Sequence, residues 1–241
     1  MAPITDLLRG LRDKRPPLPS VILCAICASA LLVFFLLAVE ATEAELTRFD
    51  RSILLFFRDP ADLSQPIGPA WLEQTMIDLT ALGGYPLLIV IVSVAMGFLL
   101  VSGKPDPAVF VFLSVTAATL ANHFLKLVFD RPRPDIVDHL VSTQTASFPS
   151  GHATMSAVVY LSLAVLIVRL VKSNLVRAYV IATAILLTFL IGMSRIYLGV
   201  HWPSDVIAGW ALGVAWASLA WVAMAPAHSE ADGLSDGRAD P

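Results

Sequence analysis

The sequence predicts an all-α membrane protein, a polytopic bundle of about six transmembrane helices. Hydrophobic residues make up 57% of the 241 residues and charged residues only 15%, whereas soluble domains carry about 25% charged residues. The mean hydropathy is +0.76, and the apolar residues gather in runs that approach the roughly 20 residues needed to cross a bilayer. The length is compatible with a single domain.

Six apolar runs are the candidate transmembrane helices, at about residues 21–39, 86–101, 108–129, 152–171, 179–197 and 205–225. The second run is short unless the stretch IDLTALGG before it continues its helix, which would place Asp78 near the headgroups. The first run resembles a signal peptide in its basic flank, but its apolar core exceeds the roughly 7–15 residues typical of one, and no clean cleavage site follows. We therefore expect one membrane domain over residues 21–225.

Lysine and arginine residues near the ends of the spans predict the orientation. The basic residues just before the first span are Arg9, Arg12, Lys14 and Arg15. Positive charges at this position favour the cytoplasm, and six spans then place both termini there. Residues 1–20 would be a cytoplasmic segment, residues 226–241 a polar and disordered cytoplasmic tail, and residues 40–85 an extracytoplasmic segment.

Within that extracytoplasmic segment, the stretch TRFDRSILLFFRDP, residues 47–60, alternates charged and apolar residues with a helical period. This pattern is typical of an amphipathic helix that lies in the membrane interface. A loop helix packed on the bundle explains the pattern equally well, and both interpretations stay open.

The first polar cluster is KLVFDRPRP, in which Lys126 lies near the end of the third span and Arg133 follows seven residues later. Pro132 and Pro134 favour extended backbone before them and so restrict the direction of the Arg133 side chain. Arg131 falls outside this spacing, and we expect it to contact the surface or a headgroup.

The second cluster is FPSGH, directly before the fourth span. Pro149 and Ser150 end whatever precedes them, and Ser150 is a candidate helix cap. The free N–H groups and the dipole of a helix start favour an anion, and Gly151 has no side chain to hold an anion away from that backbone. His152 stands beside them and can donate or accept a proton near neutral pH.

The third cluster is SRIYLGVHWPSD, between the fifth and sixth spans. Ser194 and Arg195 end the fifth span, and His201 lies in the turn that follows. Proline favours the first turn of a helix, so Pro203 predicts that the sixth helix begins there, with Asp205 just inside it. A carboxylate four residues after a histidine can accept the imidazole N–H, fix its tautomer and raise its nucleophilicity.

Together the clusters hold three cations, a helix start, two histidines and one carboxylate. The cations and the helix start predict a site for a highly charged anion such as phosphate, and the two histidines suggest a nucleophile and an acid. No cluster of carboxylates or cysteines has the spacing of metal ligands, so neither a catalytic metal nor a cofactor is predicted. No basic run carries the interleaved aromatic residues of a nucleic-acid surface.

Taken singly, each cluster also has a structural explanation. Lys126 and Arg195 at helix ends would suit interface anchors. The stretch PSGH suits a capped helix start, and His201 with Asp205 suits a structural hydrogen bond. Asn122, one turn before Lys126, either steadies that lysine or packs inside the bundle. All these explanations would have to hold together on one face of one membrane protein, and we therefore favour a shared site.

The three clusters resemble the signature motifs of the type 2 phosphatidic acid phosphatase (PAP2) superfamily, in its membrane-bound lipid phosphatase branch. The first motif, a lysine, six residues and Arg-Pro, is matched by Lys126, Arg133 and Pro134. The second motif, Pro-Ser-Gly-His, is matched by residues 149–152. The third motif is matched by Ser194, Arg195, His201 and Asp205. No motif position departs from the pattern, and the motifs together are highly specific.

The resemblance implies a metal-independent reaction through a phosphohistidine. His201, oriented by Asp205, would attack the phosphorus atom, and His152 would protonate the leaving oxygen and then activate water. The residues that would hold the phosphoryl oxygens are Lys126, Arg133, Ser150, Gly151 and Arg195, with Pro134, Pro149 and Ser194 as motif support.

The compactness of the chain and the resemblance together indicate an integral protein of a bacterial inner membrane. The orientation predicted from the basic residues then places the site at the periplasmic interface. The expected partners are the bilayer and a lipid phosphate within it, and no required protein partner is evident. Candidate substrates are undecaprenyl diphosphate, phosphatidylglycerophosphate, phosphatidate and the lipid A phosphates. We expect residues 40–85 to cover the site and to help admit the lipid chain.

Three other functions would use the same residues. A lipid phosphotransferase passes the phosphoryl group to an alcohol from the same site. The vanadium-dependent haloperoxidases resemble the same motifs but are largely soluble. A transporter or scaffold would use the site only for binding, and the pairing of His201 with Asp205 argues against this because binding needs no nucleophile. Phosphotransfer is the alternative to hydrolysis that the motifs leave open.

Overall fold

The computed structural model describes residues 18–40, 44–143 and 145–223. The predicted cytoplasmic segment lies outside these ranges except for residues 18–20, and the predicted tail, residues 226–241, lies outside them completely. Within the described ranges the chain forms helices, one short hairpin and a long irregular loop that joins two of the helices.

The helices in chain order are α1 (Leu18–Glu40), α2 (Ala44–Phe56), α3 (Ala70–Ala81), α4 (Tyr85–Val101), α5 (Pro105–Phe129), α6 (Gly151–Leu170), α7 (Asn174–Tyr197) and α8 (Pro203–Ala223). The strands β1 (Arg58–Asp59) and β2 (Asp62–Pro66) pair antiparallel between α2 and α3. The helix α6 contains a π-helical stretch, Ala157–Leu161, a feature frequently found at functional sites.

Five of the described helices, α1, α5, α6, α7 and α8, are long and apolar enough to cross a membrane. A sixth span results if α3 and α4 are counted together, which confirms the predicted bundle of about six transmembrane helices. The axes of α3 and α4 differ by 47°, so IDLTALGG does not extend the second span as one straight helix. The break falls at Gly83 and Gly84, and Pro86 lies in the first turn of α4. Glycine weakens a helix and proline favours a new start.

Prolines mark other helix starts as well. Pro105 and Pro107 lie in the first turn of α5, and Pro203 is the first residue of α8, as predicted. Proline is favoured there because N–H groups in the first turn have no partner within the helix, so the missing N–H of proline costs no hydrogen bond. The helix α5 ends at Phe129, and its C-cap residue, Asp130, has a left-handed φ of 37°, a conformation that a short polar side chain tolerates. The chain turns there into the long loop.

Small residues bring α6, α7 and α8 into close contact. A Cβ atom at Gly209 of α8 would lie 2.9 Å from the Ala153 Cβ of α6, and one at Gly213 would overlap α6 itself. On α7, Gly192 lies against the Trp210 ring of α8. Membrane helices associate through such interfaces because small residues let their backbones approach closely. The start of α6, the end of α7 and the start of α8 therefore lie together.

Backbone hydrogen bonds join the long loop to this end of the bundle. Leu140 N donates to Leu198 O at 3.1 Å, and Ser150 N donates to Asp205 O at 3.0 Å. The first bond ties the loop to the turn after α7, and the second ties it to the start of α8. All three polar clusters of the sequence consequently meet at one end of the bundle.

One face of α2 packs on the bundle near the start of α8. Asp50 and Leu54 are 0% exposed on this face, whereas Phe49 and Phe56 on the other are 43% and 72% exposed. The buried face of α2 thus agrees with the interpretation of residues 47–60 as a helix packed on the bundle. The exposed aromatic face keeps the character of an interfacial helix.

Gly192→Leu should lower the thermal unfolding midpoint of the detergent-solubilised protein, because the new side chain would overlap the Trp210 ring. Overpacking of this kind costs about 1–3 kcal/mol. Gly97→Ala is the matched control, since a Cβ atom there meets nothing within 4 Å and alanine is the better helix former. Equal midpoints for the two variants would contradict a close α7–α8 contact.

Candidate active site

A polar cavity of about 250 Å³ opens at the end of the bundle where α5 and α7 end and α6 begins. The predicted site residues that line it are Lys126, Arg133, Gly151, His152, Arg195 and His201. Its other lining residues are Tyr85, Asn122, His123, Ser142, Thr143 and Thr145. The cavity thus collects side chains from all three clusters.

Lys126 and Arg133 are held by backbone carbonyls at the cavity. Lys126 is buried in the last turn of α5, and its Nζ donates to Ala146 O at 2.5 Å. Arg133 Nε donates to Thr145 O at 2.8 Å, and its NH1 donates to Val200 O at 2.5 Å. The carbonyls fix both cations without neutralising them, so their charge is available to an anion in the cavity.

Arg195, in the last turn of α7, is the third cation and is 4% exposed. Its NH1 donates to Thr80 Oγ1 of α3 at 2.9 Å, and its Nε has no hydrogen-bond partner among the described residues. Within those residues the salt bridges involve none of the three cavity cations. Uncompensated buried charge is costly, so the arrangement favours binding of an anion.

Gly151 leaves room at the start of α6. A Cβ atom there would lie 3.4 Å from Asn122 Oδ1 and 3.8 Å from Tyr85 OH. The Thr154 hydroxyl donates to Ser150 O at 2.9 Å, so it accepts from Asn122 Nδ2 at 3.2 Å. This fixes the amide so that Asn122 Oδ1, buried and without a partner in the described chain, is left as an acceptor beside the cavity cations.

His152, the second residue of α6, lines the cavity. Gly83, in the break between α3 and α4, packs against it. A Cβ atom at Gly83 would lie 3.4 Å from both Cβ and Cδ2 of His152 and would overlap the Ile191 side chain. The glycine therefore makes room for the imidazole, which is placed to exchange a proton with a group bound in the cavity.

His201 and Asp205 form the predicted pair at the start of α8. His201 Nδ1 is 3.3 Å from Asp205 Oδ2, and His201 Nε2 is 3.2 Å from Arg133 NH1. Because a guanidinium only donates hydrogen bonds, Nε2 acts as the acceptor and the neutral ring carries its proton on Nδ1. The Nε2 lone pair therefore faces Arg133 NH1 at the cavity.

Burial, followed by the positive charges of Arg195 and Arg133, holds the pKa of the His201 imidazole well below its usual 6.5. The side chain is 2% exposed, and its charged form would be poorly solvated in such surroundings. A histidine with a lowered pKa is neutral at physiological pH, so the His201 ring is neutral before an anion binds.

Four other predicted site residues, Ser150, Ser194, Pro134 and Pro149, are not among the residues that line the cavity. Ser150 is buried at the start of α6, but its hydroxyl makes no capping hydrogen bond, so the predicted side-chain cap is wrong. That hydroxyl has no partner among the described residues. Ser194 Oγ donates to Ile191 O within α7 at 2.6 Å. Pro134 and Pro149 are both buried in the long loop.

The expectation that Arg131 contacts the surface or a headgroup is wrong. Arg131 is 7% exposed, and its guanidinium donates to the carboxylates of Asp205 at 2.6 Å and Asp50 at 2.8 Å. Motif spacing does not reveal these partners, which lie 74 and 81 residues away along the chain. Neither segment carries a sequence signal that marks this pairing.

Sequence reasoning also missed the contribution of the broken span. Thr80 of α3 accepts a hydrogen bond from Arg195, Gly83 packs against His152, and Tyr85 lines the cavity. We expected residues 40–85 to cover the site. In the described part of this segment, Tyr85 is the residue that lines the cavity. The Gly-Gly pair inside an apolar stretch is the signal that marks this break.

An apolar groove of about 570 Å³ opens between α4 and α5. Tyr85 lines both the groove and the polar cavity, so the two spaces adjoin. Other residues of the groove include Leu88, Val92, Met96, Gly97, Val115 and Leu120. Its walls lie in the apolar spans, and a groove of this character suits a hydrocarbon chain.

The fold is that of an integral membrane protein, and three cations without a carboxylate counter-ion in the described chain line its polar cavity. The sequence profile of the PAP2 superfamily matches residues 107–228, half of the chain, and includes all three clusters. The chain belongs to the PAP2 superfamily, and it is a membrane phosphatase of that type.

Relatives of the chain are named as phosphatases of lipids. Phosphatidylglycerophosphatase B of Bacillus subtilis is 33% identical over 147 residues, 60% of this chain and 71% of that protein. A lipid A 1-phosphatase of Rhizobium johnstonii is 37% identical over 161 residues, 62% of this chain and 60% of that protein. An undecaprenyl-diphosphatase of Sulfolobus acidocaldarius is 40% identical over 73 residues, 30% of this chain and 31% of that protein.

Solved structures have the same helical arrangement. The crystal structure of a transmembrane PAP2 type phosphatidylglycerolphosphate phosphatase from Bacillus subtilis superposes with a TM-score of 0.70 at 29% identity, covering 80% of this chain and 93% of that one. The Aquifex aeolicus LpxE structure superposes with a TM-score of 0.52 at 24% identity, covering 70% and 92%, and this second likeness is one of fold.

The ring of His201 should stay neutral from about pH 8 down to about pH 5, the range in which an ordinary histidine titrates. Because the pKa of His201 lies below its usual value, the ring takes up a proton only at a lower pH than an ordinary histidine does. Nitrogen NMR of histidine-labelled protein in phosphate-free detergent measures the ring directly, and His201→Ala assigns the signal. A His201 signal that titrates near 6.5 would contradict the burial and the cationic surroundings described above.

Proposed function

We propose that the chain is a metal-independent phosphatase that hydrolyses the phosphate monoester or diphosphate of a membrane lipid through a phosphohistidine intermediate. The observation that carries the proposal is the meeting of His201, His152 and three cations in one cavity that adjoins an apolar groove. One site then combines a nucleophile, a proton donor, the charges that bind a phosphoryl group and a place for a lipid chain.

In the proposed first step, His201 Nε2 attacks the phosphorus atom opposite the leaving oxygen. The P–N bond forms, and the P–O bond to the rest of the substrate breaks. His152, protonated once the bound phosphoryl group offsets the cavity cations, donates its proton to the departing oxygen. The Nδ1 proton of His201 stays on the ring, where Asp205 stabilises the positive charge of the phosphorylated imidazole. The attack needs no prior deprotonation because the imidazole starts neutral.

In the second step, water attacks the phosphorus atom of the phosphohistidine. His152, now neutral, takes a proton from this water, and the P–N bond breaks with its electron pair returning to His201 Nε2. Inorganic phosphate leaves, and both histidines are restored to their starting protonation states. The same residue thus serves as acid in one step and as base in the next.

The cavity cations are proposed to hold the phosphoryl oxygens, together with the free N–H of Gly151 at the start of α6. Phosphoryl transfer places negative charge on these oxygens in the transition state, so fixed positive charge around them lowers the barrier. Three cations can supply the charge stabilisation that a metal ion supplies elsewhere. Ser150 would contribute its hydroxyl, because its N–H already bonds to the backbone of α8.

A lipid substrate is supported by the groove between α4 and α5. A headgroup phosphate in the polar cavity would leave its chain beside Tyr85, at the mouth of the groove. The names of the relatives support the same class of substrate. Undecaprenyl diphosphate, phosphatidylglycerophosphate, phosphatidate and lipid A phosphates are the candidates.

We place the protein in a bacterial inner membrane with its site facing the periplasm. The basic residues before α1 favour a cytoplasmic N-terminus. Phe34, towards the C-terminal end of α1, packs against Phe148 of the long loop, with ring centroids 5.8 Å apart. The site therefore lies at the end of α1 that is far from the N-terminus, which is the periplasmic end in this orientation.

The purified protein in detergent should release phosphate from at least one of these lipids in excess chelator. His201→Ala should lower kcat by about 10³-fold or more, because the nucleophile is lost. Asp59→Asn, at an exposed position of the hairpin, is the matched control and should keep the wild-type rate. Phosphate release would be measured for all three proteins across the lipid panel.

Two results would overturn this proposal in different ways. Activity that disappears with chelator and returns with a divalent metal would remove the metal-independent mechanism. A folded protein that releases no phosphate from any lipid, yet turns over when an alcohol acceptor is added, would replace hydrolysis with phosphotransfer.

Gly97→Trp should raise KM for the best lipid several-fold, because the indole would occupy the groove that the lipid chain needs. Hydrolysis of p-nitrophenyl phosphate, which has no chain, should be unchanged. Val101→Trp, at an exposed position of the same helix outside the groove, is the control. Equal loss on both substrates, or no loss on the lipid, would argue against the groove as the chain site.

A further inference from the structure

The two oxygens of the Asp205 carboxylate have separate partners. Oδ2 lies 3.3 Å from His201 Nδ1, accepts from Trp202 N at 2.9 Å and accepts from Ser147 Oγ. Oδ1 accepts from Arg131 NH1 at 2.6 Å. Because Asp205 is 0% exposed, these protein groups, rather than water, determine how its carboxylate is oriented.

Arg131 is shared between two carboxylates. Its NH1 also donates to Ser204 Oγ at 2.8 Å, and its NH2 forms an ion pair with Asp50 Oδ2 at 2.8 Å. The planar guanidinium can address both carboxylates at once because its donors form a rigid fork. Arg131 does not line the cavity, so it is not placed to touch the phosphoryl group.

Asp50 brings α2 into this network. It is 0% exposed, and it accepts from Ser204 N at 2.8 Å and from Ser204 Oγ at 2.5 Å in addition to Arg131. Burial raises the pKa of Asp50, and the hydrogen bonds from Ser204 and Arg131 oppose that rise. All the contacting groups are donors to Asp50, as an ionised carboxylate requires.

We propose that Arg131 and Asp50 are positioning residues for the reaction: Arg131 fixes the Asp205 carboxylate against His201, and Asp50 fixes and neutralises Arg131. The inference rests on the proposed function, since it concerns the nucleophile of that reaction. It extends the active site beyond the three motifs to α2, which contributes none of the cavity-lining residues in the described chain.

The charge balance explains why the second carboxylate matters. Three cations already surround the cavity, and an unpaired Arg131 would place a fourth positive charge beside the His–Asp pair. With Asp50 as its counter-ion, Arg131 still orients Asp205 but cancels less of its charge. The negative charge of Asp205 is then available to stabilise the positive imidazole that forms when His201 is phosphorylated.

A purely structural role makes different predictions. Removing one partner of a buried ion pair destabilises a protein, and such a loss would affect all functions of the fold together. A positioning role acts through Asp205, so it should lower kcat without weakening substrate binding. The effect on kcat should also disappear in a variant in which Asp205 itself can no longer act.

The experiment compares Asp50→Asn and Arg131→Gln with the control Arg51→Gln. Arg51 is exposed and lies next to Asp50 on α2. Each substitution is made in the wild type and in an Asp205→Asn background, and kcat and KM are measured with p-nitrophenyl phosphate in detergent. We expect Asp50→Asn and Arg131→Gln to lower kcat by about 10- to 100-fold, the range found for groups that orient metal-bound histidines. KM should change by less than about threefold, and Arg51→Gln should match the wild type.

In the Asp205→Asn background, both substitutions should lower kcat by less than about twofold, because their route to His201 is already lost. Equal losses in the two backgrounds, or a rise in KM with kcat unchanged, would overturn the inference. If Arg131→Gln does not fold, Asp50→Asn and Ser204→Ala carry the same test. An inactive wild type, or an active His201→Ala, would instead contradict the proposed function, so the two failures are distinguishable.

Discussion

The arrangement of the site depends on one buried carboxylate, that of Asp205. It is bonded to the turn before α8 through Trp202, to the long loop through Ser147 and Arg131, and to the imidazole of His201. Each of these groups would pay a desolvation penalty if it were left without a partner in the protein interior. The same bonds therefore hold the loop in place and select the tautomer of His201.

The cavity around this pair collects positive charge. Lys126 and Arg133 are oriented by backbone carbonyls and Arg195 by a threonine hydroxyl, so none of the three is neutralised by these contacts. In the absence of an anion, the same charges and burial keep His201 neutral. A bound phosphoryl group would offset the cations and make a positive imidazole easier to form, which is the change that the proposed reaction needs.

The sequence predicted the parts of the site that lie within motifs. Lys126, Arg133, His152, Arg195 and His201 line one cavity as expected, because their positions at helix ends and in the connecting turns bring them to one end of the bundle.

The sequence did not predict the parts that depend on pairing between distant segments. Arg131 and Asp50 are 81 residues apart, and nothing in either segment indicates a buried ion pair. The bend at Gly83 was also missed, because an apolar stretch with two glycines reads equally well as one span or as two helices. Side-chain details such as the unbonded hydroxyl of Ser150 depend on packing and have no sequence pattern.

The central claim, that His201 Nε2 becomes phosphorylated, is tested most directly by trapping the intermediate. The enzyme would be mixed with a radiolabelled phosphate substrate, quenched in alkali, where phosphohistidine survives, and mapped by mass spectrometry of its peptides. The account predicts label on His201 that chases into phosphate, and no label in His201→Ala. Label on another residue, or steady turnover with no labelled protein at any quench time, would contradict it.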